Sequence, residues 1–147
     1  MPMIGLASDH AGFAYKEQIK RLLAEWKLPF RDFGTDSEAS TDYPDWGHLA
    51  AQAISSGECT QAILVCGTGI GMSMIANKHK GVRAAVCESS TAAQLARKHN
   101  DANVLCIGQR LIGWDTALDI IETFLETVFE GERHQRRVTK IHSLTNL

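Results

Sequence analysis

One thiol in this sequence stands where chemistry is commonly done. Cys66 ends the run Ala62-Ile-Leu-Val-Cys66 and opens Gly67-Thr-Gly-Ile-Gly71. The apolar, β-branched run reads as a buried strand. Glycine at alternate positions after it lets the backbone approach a ligand closely and aim N–H groups at it. In an open parallel sheet, ligands bind beyond the carboxyl ends of the strands. The loop therefore favours an anion, either a bound phosphate or a negative charge that develops during a reaction. Cys66 shares that field, and a free thiol, with a pKa of about 8.5, is acidified at helix N-termini. The competing reading is a buried, inert strand cysteine, and that is the reading for Cys59, Cys87 and Cys106.

Three further groups could join such a site. Asp9-His10 closes the first strand on the same edge, either as a capping pair at a strand-to-helix turn or as site residues. Arg133 and Arg137 are four apart, so on a helix they share a face and suit a phosphate, whereas Arg136 points elsewhere. A solvated basic patch is the alternative. His99-Asn100 falls at the far end of a helix that runs back from the carboxyl edge. His99 is then a surface histidine or completes the site of a neighbouring copy, and the sequence alone favours the surface. His48, His79 and His142 have no evident partners. The histidines and carboxylates lack the usual zinc spacing, so no metal is expected.

Better-known glycine loops do not fit. No Gly-x-x-x-x-Gly-Lys-Ser/Thr string exists. A dinucleotide fingerprint fails at Met72 or Met74, although Glu88 stands at the end of the next strand as a ribose-binding acid would. A cysteine phosphatase would want arginine where Met72 stands.

The elements that position these residues alternate. Strands are expected at Ile4–Ser8, Phe30–Phe33, Ala62–Cys66, Val82–Cys87 and Val104–Ile107. Helices are expected over Phe13–Lys27, from Pro44 to near Gly57, from Ile70 or Gly71 to about His79, from a Ser89 or Ser90 cap to Asn100, and from Gly113 through Val128. Glu130–Leu147 reads as an extension with a last short helix. Five β–α units imply right-handed crossovers and a three-layer αβα sandwich, with strand order left open. The 147 residues suit one domain, 1–147. A formal charge of −2 argues against nucleic acid as the main partner. Four cysteines without a disulfide framework, no basic leader and no run long enough to span a bilayer make a cytoplasmic protein without membrane partners the expectation.

Taken together, Asp9-His-Ala-Gly-Phe13, Asp42-Tyr-Pro44, Cys66-Gly-Thr-Gly-Ile-Gly71, Ala76-Asn-Lys78, His99-Asn-Asp101 and Gly131-Glu-Arg-His-Gln-Arg-Arg-Val138 resemble the type B ribose-5-phosphate isomerases. Their wider family includes the galactose-6-phosphate isomerase subunits. The matches run from Asp9 to Val138 in the family's order. The resemblance implies a Rossmann-like, doubly wound five-stranded parallel sheet. It also implies a homodimer, or a tetramer built from it, with sites between subunits. Cys66 would move a proton between C1 and C2 of a sugar phosphate, and His99 of the neighbouring subunit would open the sugar ring. Gly67, Thr68, Gly69, Ile70 and Gly71 would hold the enediolate, with Thr68 counted among the catalytic residues. Asp9, His10, Asn100 and Arg110 would contact sugar or phosphate, and Arg133 and Arg137 would bind phosphate. A branch of the family without this cysteine has glutamate at the position of Met72, so this chain resembles the cysteine branch. No cofactor is implied. Ribose 5-phosphate and ribulose 5-phosphate are the expected pair. The alternatives are a six-carbon sugar 6-phosphate such as allose or galactose 6-phosphate, a non-catalytic sugar-phosphate binder, or a cysteine-nucleophile enzyme.

Overall fold

A computed structural model describes residues 2–147. The chain alternates β1 (Ile4–Ser8), α1 (Phe13–Glu25), β2 (Phe30–Asp32), α2 (Tyr43–Ser56), β3 (Gln61–Cys66), α3 (Ile70–Ala76), β4 (Ala84–Val86), α4 (Ser90–Asn100), β5 (Val104–Gly108), α5 (Trp114–Glu126) and α6 (Arg133–Thr145). A short 3₁₀ turn at His10–Gly12 links β1 to α1. The five strands form one parallel sheet in the order β2-β1-β3-β5-β4. The chain moves outward from β1 to β2 and then back across to β3, so β1 and β3 flank the switch point.

Strand alternation divides the core. Ile4, Leu6, Ile63, Val65, Leu105 and Ile107 face α1, α4 and α5, packing with Ile19, Leu23, Ala93, Ile120 and Phe124. Ala7, Ala62, Leu64, Cys66, Val104 and Cys106 face α2 and α3, packing with Ala50, Ala51, Met72 and Ala76. The αβα sandwich is thereby realised, and Cys66 belongs to the α2/α3 layer. This division is what right-handed crossovers require: β1-α1-β2 and β4-α4-β5 step one way along the sheet, and β2-α2-β3 and β3-α3-β4 the other.

Several boundaries differ from the sequence expectation. α1 stops at Glu25, because Trp26 caps it and Lys27 turns to φ 58°. β4 is only Ala84–Val86, since an edge strand has one neighbour to hold its ends. α3 ends at Ala76, with Asn77 as its cap. α5 ends at Glu126, which leaves Val128 outside it and exposed. The last helix is as long as α5, and it is anchored by buried His134 and Val138. Ser89 is the cap of α4, accepting the Ala92 N–H. No helix among the described residues is long and apolar enough to cross a membrane.

Candidate active site

Cys66 is the last residue of β3 and is buried. Its Sγ accepts the Gly69 N–H at 3.1 Å. That contact exists because Gly69 adopts φ 79°, a conformation that folds the loop back over the strand end. An N–H on sulfur is a contact that thiolate uses better than thiol. Thr68 Oγ1 accepts the Ile70 N–H at 3.2 Å and fixes the start of α3. Gly71 also opens α3, where N–H groups lack intrahelical partners. Gly71 lies under the Tyr43 ring, since a Cβ built there would sit 2.5 Å from Tyr43 Cε1.

The loop is braced from its neighbours. Gln109 and Arg110 donate their N–H groups to the Cys66 and Gly67 carbonyls, at 2.9 and 3.0 Å. The Arg110 guanidinium lies over Gly67, with Nη1 3.1 Å from where a Cβ would stand. Gly108 permits this packing: a Cβ there would fall 2.6 Å from the Thr68 backbone. On the other side, the Asp9 N–H reaches the Val65 carbonyl and the Asp9 carboxylate accepts the Gly12 N–H at 3.1 Å. Asp9 is therefore a capping residue. His10 Nδ1 accepts the Thr41 N–H at 3.2 Å, tying the loop before α2 to this edge. That bond leaves the proton of a neutral ring on Nε2. One edge thus gathers Asp9, His10, Cys66, Gly67, Thr68, Gly69, Ile70, Gly71 and Arg110.

The other thiols are unlike Cys66. Burial pushes Cys87 up to about 11. Burial, followed by the neighbouring Cys66 and Cys87, pushes Cys106 well above the thiol range. Burial and then Glu58 raise Cys59, against the pull of Arg31. Met72 is fully buried between α2 and α3, with its sulfur against Gly47.

The remaining expected residues stand elsewhere. α4 runs back from the carboxyl edge, so His99, in its last turn, lies toward the amino ends of β4 and β5. The His99 ring stacks on that of His134, with centroids 4.3 Å apart and planes 12° from parallel. Glu130 Oε1 is 3.5 Å from His99 Nε2 and 3.7 Å from His134 Nε2. Arg133, His134, Glu130 and Glu132 line a recess of about 220 Å³. Arg133 and Arg137 are exposed on α6, four residues apart as expected. Asn100 lines a separate cavity of about 400 Å³ between β4 and α6.

Two expectations about histidines change. His48 and His142 do have partners: His48 Nδ1 meets His79 Nε2 at 2.6 Å, and His142 Nε2 meets Arg83 Nη1 at 2.9 Å. Residues distant in sequence also bring His99, Glu130 and His134 donor atoms within 4.8 Å of one another, a set of metal-ligand types that linear spacing did not reveal. The two rings of this group are stacked nearly parallel.

A family model described as Ribose/Galactose Isomerase matches residues 4–141. The chain belongs to that family. This ribose/galactose isomerase family member is 43% identical over 144 residues to the protein named ribose-5-phosphate isomerase B of Escherichia coli, covering 98% of this chain and 97% of that one. Its fold is similar to that of ribose-5-phosphate isomerase B from Clostridium thermocellum, with a TM-score of 0.96, 47% identity and coverage of 98% and 97%. It is likewise similar to the Mycoplasma genitalium ribose-5-phosphate isomerase B solved with bound ribulose-5-phosphate, with a TM-score of 0.94, 40% identity and coverage of 98% and 96%.

Sequence reasoning passed over the parts played by Tyr43, Thr41, Glu130 and His134. Tyr43 and His134 lay inside motifs already singled out. The i, i+4 spacing of Glu130 and His134 was the available signal for that pair.

Proposed function

We propose that this protein interconverts D-ribose 5-phosphate and D-ribulose 5-phosphate by proton transfer through an enediolate. The observation that carries the reading is the Gly69 N–H seated on Cys66 Sγ, inside a glycine loop braced by Arg110. The identity to the Escherichia coli enzyme supports the choice of substrate.

Cys66 takes the C2 proton of the open-chain aldose, and the electron pair moves into the C1–C2 bond as the carbonyl oxygen becomes an oxyanion. Loop N–H groups from Gly67 to Gly71 stabilise that oxyanion, acting where charge appears rather than where it already exists. A proton passes from O2 to O1 of the enediolate, and returning the Cys66 proton to C1 as O2 becomes the carbonyl completes the ketose. Thr68 holds the loop's shape through Ile70. His99 donates the proton that opens the sugar ring, and Arg133 and Arg137 hold phosphate. Asp9, His10 and Asn100 line the sugar.

His99, Asn100, Arg133 and Arg137 lie apart from Cys66 in one chain. Two copies arranged as a dimer bring the halves together, so the homodimer is the functional unit in this reading. Binding energy from the distant phosphate orients the reacting carbons.

Purified protein incubated with ribose 5-phosphate is expected to form ribulose 5-phosphate without added cofactor. Binding of either sugar phosphate without interconversion would leave a sensor, and a covalent thioester or thioether at Cys66 would leave a nucleophile enzyme; either result overturns the proposal. Side-by-side kcat/KM values for five- and six-carbon phosphates test the substrate, with the pentose expected to be preferred rather than exclusive.

A further inference from the structure

We propose that His134 and Glu130 are positioning residues for His99: His134 fixes the plane of the His99 ring by stacking, and Glu130 holds the ring at its Nε2. This deepens the reading above and rests on His99 being the ring-opening acid.

The geometry carries the assignment. His99 is the half-exposed member of the stack, and His134 is the buried one, 5% exposed. The ring planes differ by only 12°. Glu130 Oε1 stands within 4 Å of both Nε2 atoms, nearer to that of His99. Both partners are held from the backbone. The Glu130 N–H bonds the Lys98 carbonyl at 3.2 Å, beside His99 on α4. The His134 N–H bonds the Gly131 carbonyl at 3.0 Å, across a turn in which Gly131 and Glu132 both have positive φ. His134 Nε2 is buried without a hydrogen-bond partner. A buried ring nitrogen left unpaired costs free energy, which packing alone does not explain.

The charges around the pair divide the labour. Burial first, then His99, Arg133 and Arg137, hold His134 below the ordinary histidine range, against the pull of Glu130. The same causes favour the uncharged form of the His134 ring against its neighbour. Arg97 and Lys98 share the last turn of α4 with His99, and Glu130 and Glu132 line one recess with Arg133 and His134. Glu130 is the carboxylate that reaches the His99 Nε2. The stack fixes the ring plane and the carboxylate stands at one ring nitrogen, so a ring-opening acid is held in one orientation.

The test measures kcat and KM on two substrates in wild type, Glu130→Gln, His134→Ala and His134→Phe. Ribose 5-phosphate is mostly a closed ring. Ribulose 5-phosphate cannot close a furanose ring through its phosphorylated O5, so its deuterium exchange at C1 needs no ring opening. In Glu130→Gln, kcat on ribose 5-phosphate is expected to fall about fivefold, with KM and ribulose 5-phosphate exchange little changed. His134→Ala is expected to lose about tenfold in kcat on ribose 5-phosphate, with KM and ribulose 5-phosphate exchange little changed. His134→Phe retains an aromatic face and is expected to recover most of that loss. Unchanged kcat on ribose 5-phosphate in Glu130→Gln, or an equal loss on both sugars, overturns the proposal. So does a KM rise for both sugars in His134→Ala and His134→Phe alike, which would make His134 a phosphate contact. Wild-type turnover separately tests the reading on which the proposal rests.

Discussion

At the residue scale, the contrast between Cys66 and the other three thiols is one of surroundings. Cys66 meets an N–H donor and an open loop, whereas burial alone dominates around Cys87 and Cys106. That distinction was legible from position, because a cysteine at a strand's carboxyl end before alternating glycines has few structural excuses. The arginines are the next test. In the proposed enzyme, Arg133→Ala and Arg137→Ala each remove a charge-assisted phosphate contact worth roughly 1.5–3 kcal/mol. Each is expected to raise KM for ribose 5-phosphate about ten- to a hundredfold, with kcat falling less. Unchanged KM in both variants would place the phosphate elsewhere. What the sequence hid was local pairing in space: His99 with His134, and His48 with His79, meet only after folding.

At the scale of elements, the strand and helix order was readable from apolar periodicity, and both glycine turns and serine caps appeared near their expected places. The edge strand β4 was overestimated, because periodicity reports burial and not the number of neighbours that hold a strand. The strand order β2-β1-β3-β5-β4 also lay beyond the pattern, since the crossovers fix handedness and not which neighbour each strand chooses. The α1–β2 contact contains an ion network with a measurable consequence. Lys16, 1% exposed, holds the Asp32 carboxylate at 2.7 Å, and Lys20 and the Gly34 N–H join it. Burial pushes Asp32 up, but these donors outweigh it and hold its pKa below the ordinary carboxylate value. A depressed folded pKa contributes stability that is present above about pH 4 and is lost as pH falls through the folded value. Asp32→Asn is expected to destabilise the fold by about 2 kcal/mol at neutral pH, since it leaves the buried Lys16 ammonium with only Glu17, at 3.4 Å, as a charge partner. The same change is expected to flatten the acid limb of the stability curve. Chemical denaturation from pH 2 to 7 checks both; an acid limb as steep as wild type would exclude Asp32 as its source.

At the scale of the whole molecule, the proposed catalytic groups occupy two regions of one chain. Cys66 and its loop lie at the carboxyl edge, and His99 and the α6 arginines lie with the far end of α4. For this reason the sequence alone favoured a surface role for His99 over completing a neighbouring copy's site, and the resemblance turned the reading toward the neighbour. Mixed dimers test the arrangement. Cys66→Ala and His99→Ala subunits, each inactive on ribose 5-phosphate, are expected to recover activity at one of two sites when combined, up to about half of wild type per dimer. Absence of recovery in verified heterodimers would contradict a shared site.

The measurement closest to the central claim is hydrogen exchange at substrate carbon, followed by NMR in heavy water. Ribose 5-phosphate incubated with the wild-type protein is expected to gain deuterium at C2 as ribulose 5-phosphate forms. With Cys66→Ala, the sugar phosphate is expected to bind while the C2 proton stays in place. Exchange by Cys66→Ala at the wild-type rate, or none by the wild-type protein, would contradict Cys66 as the base of an enediolate isomerase.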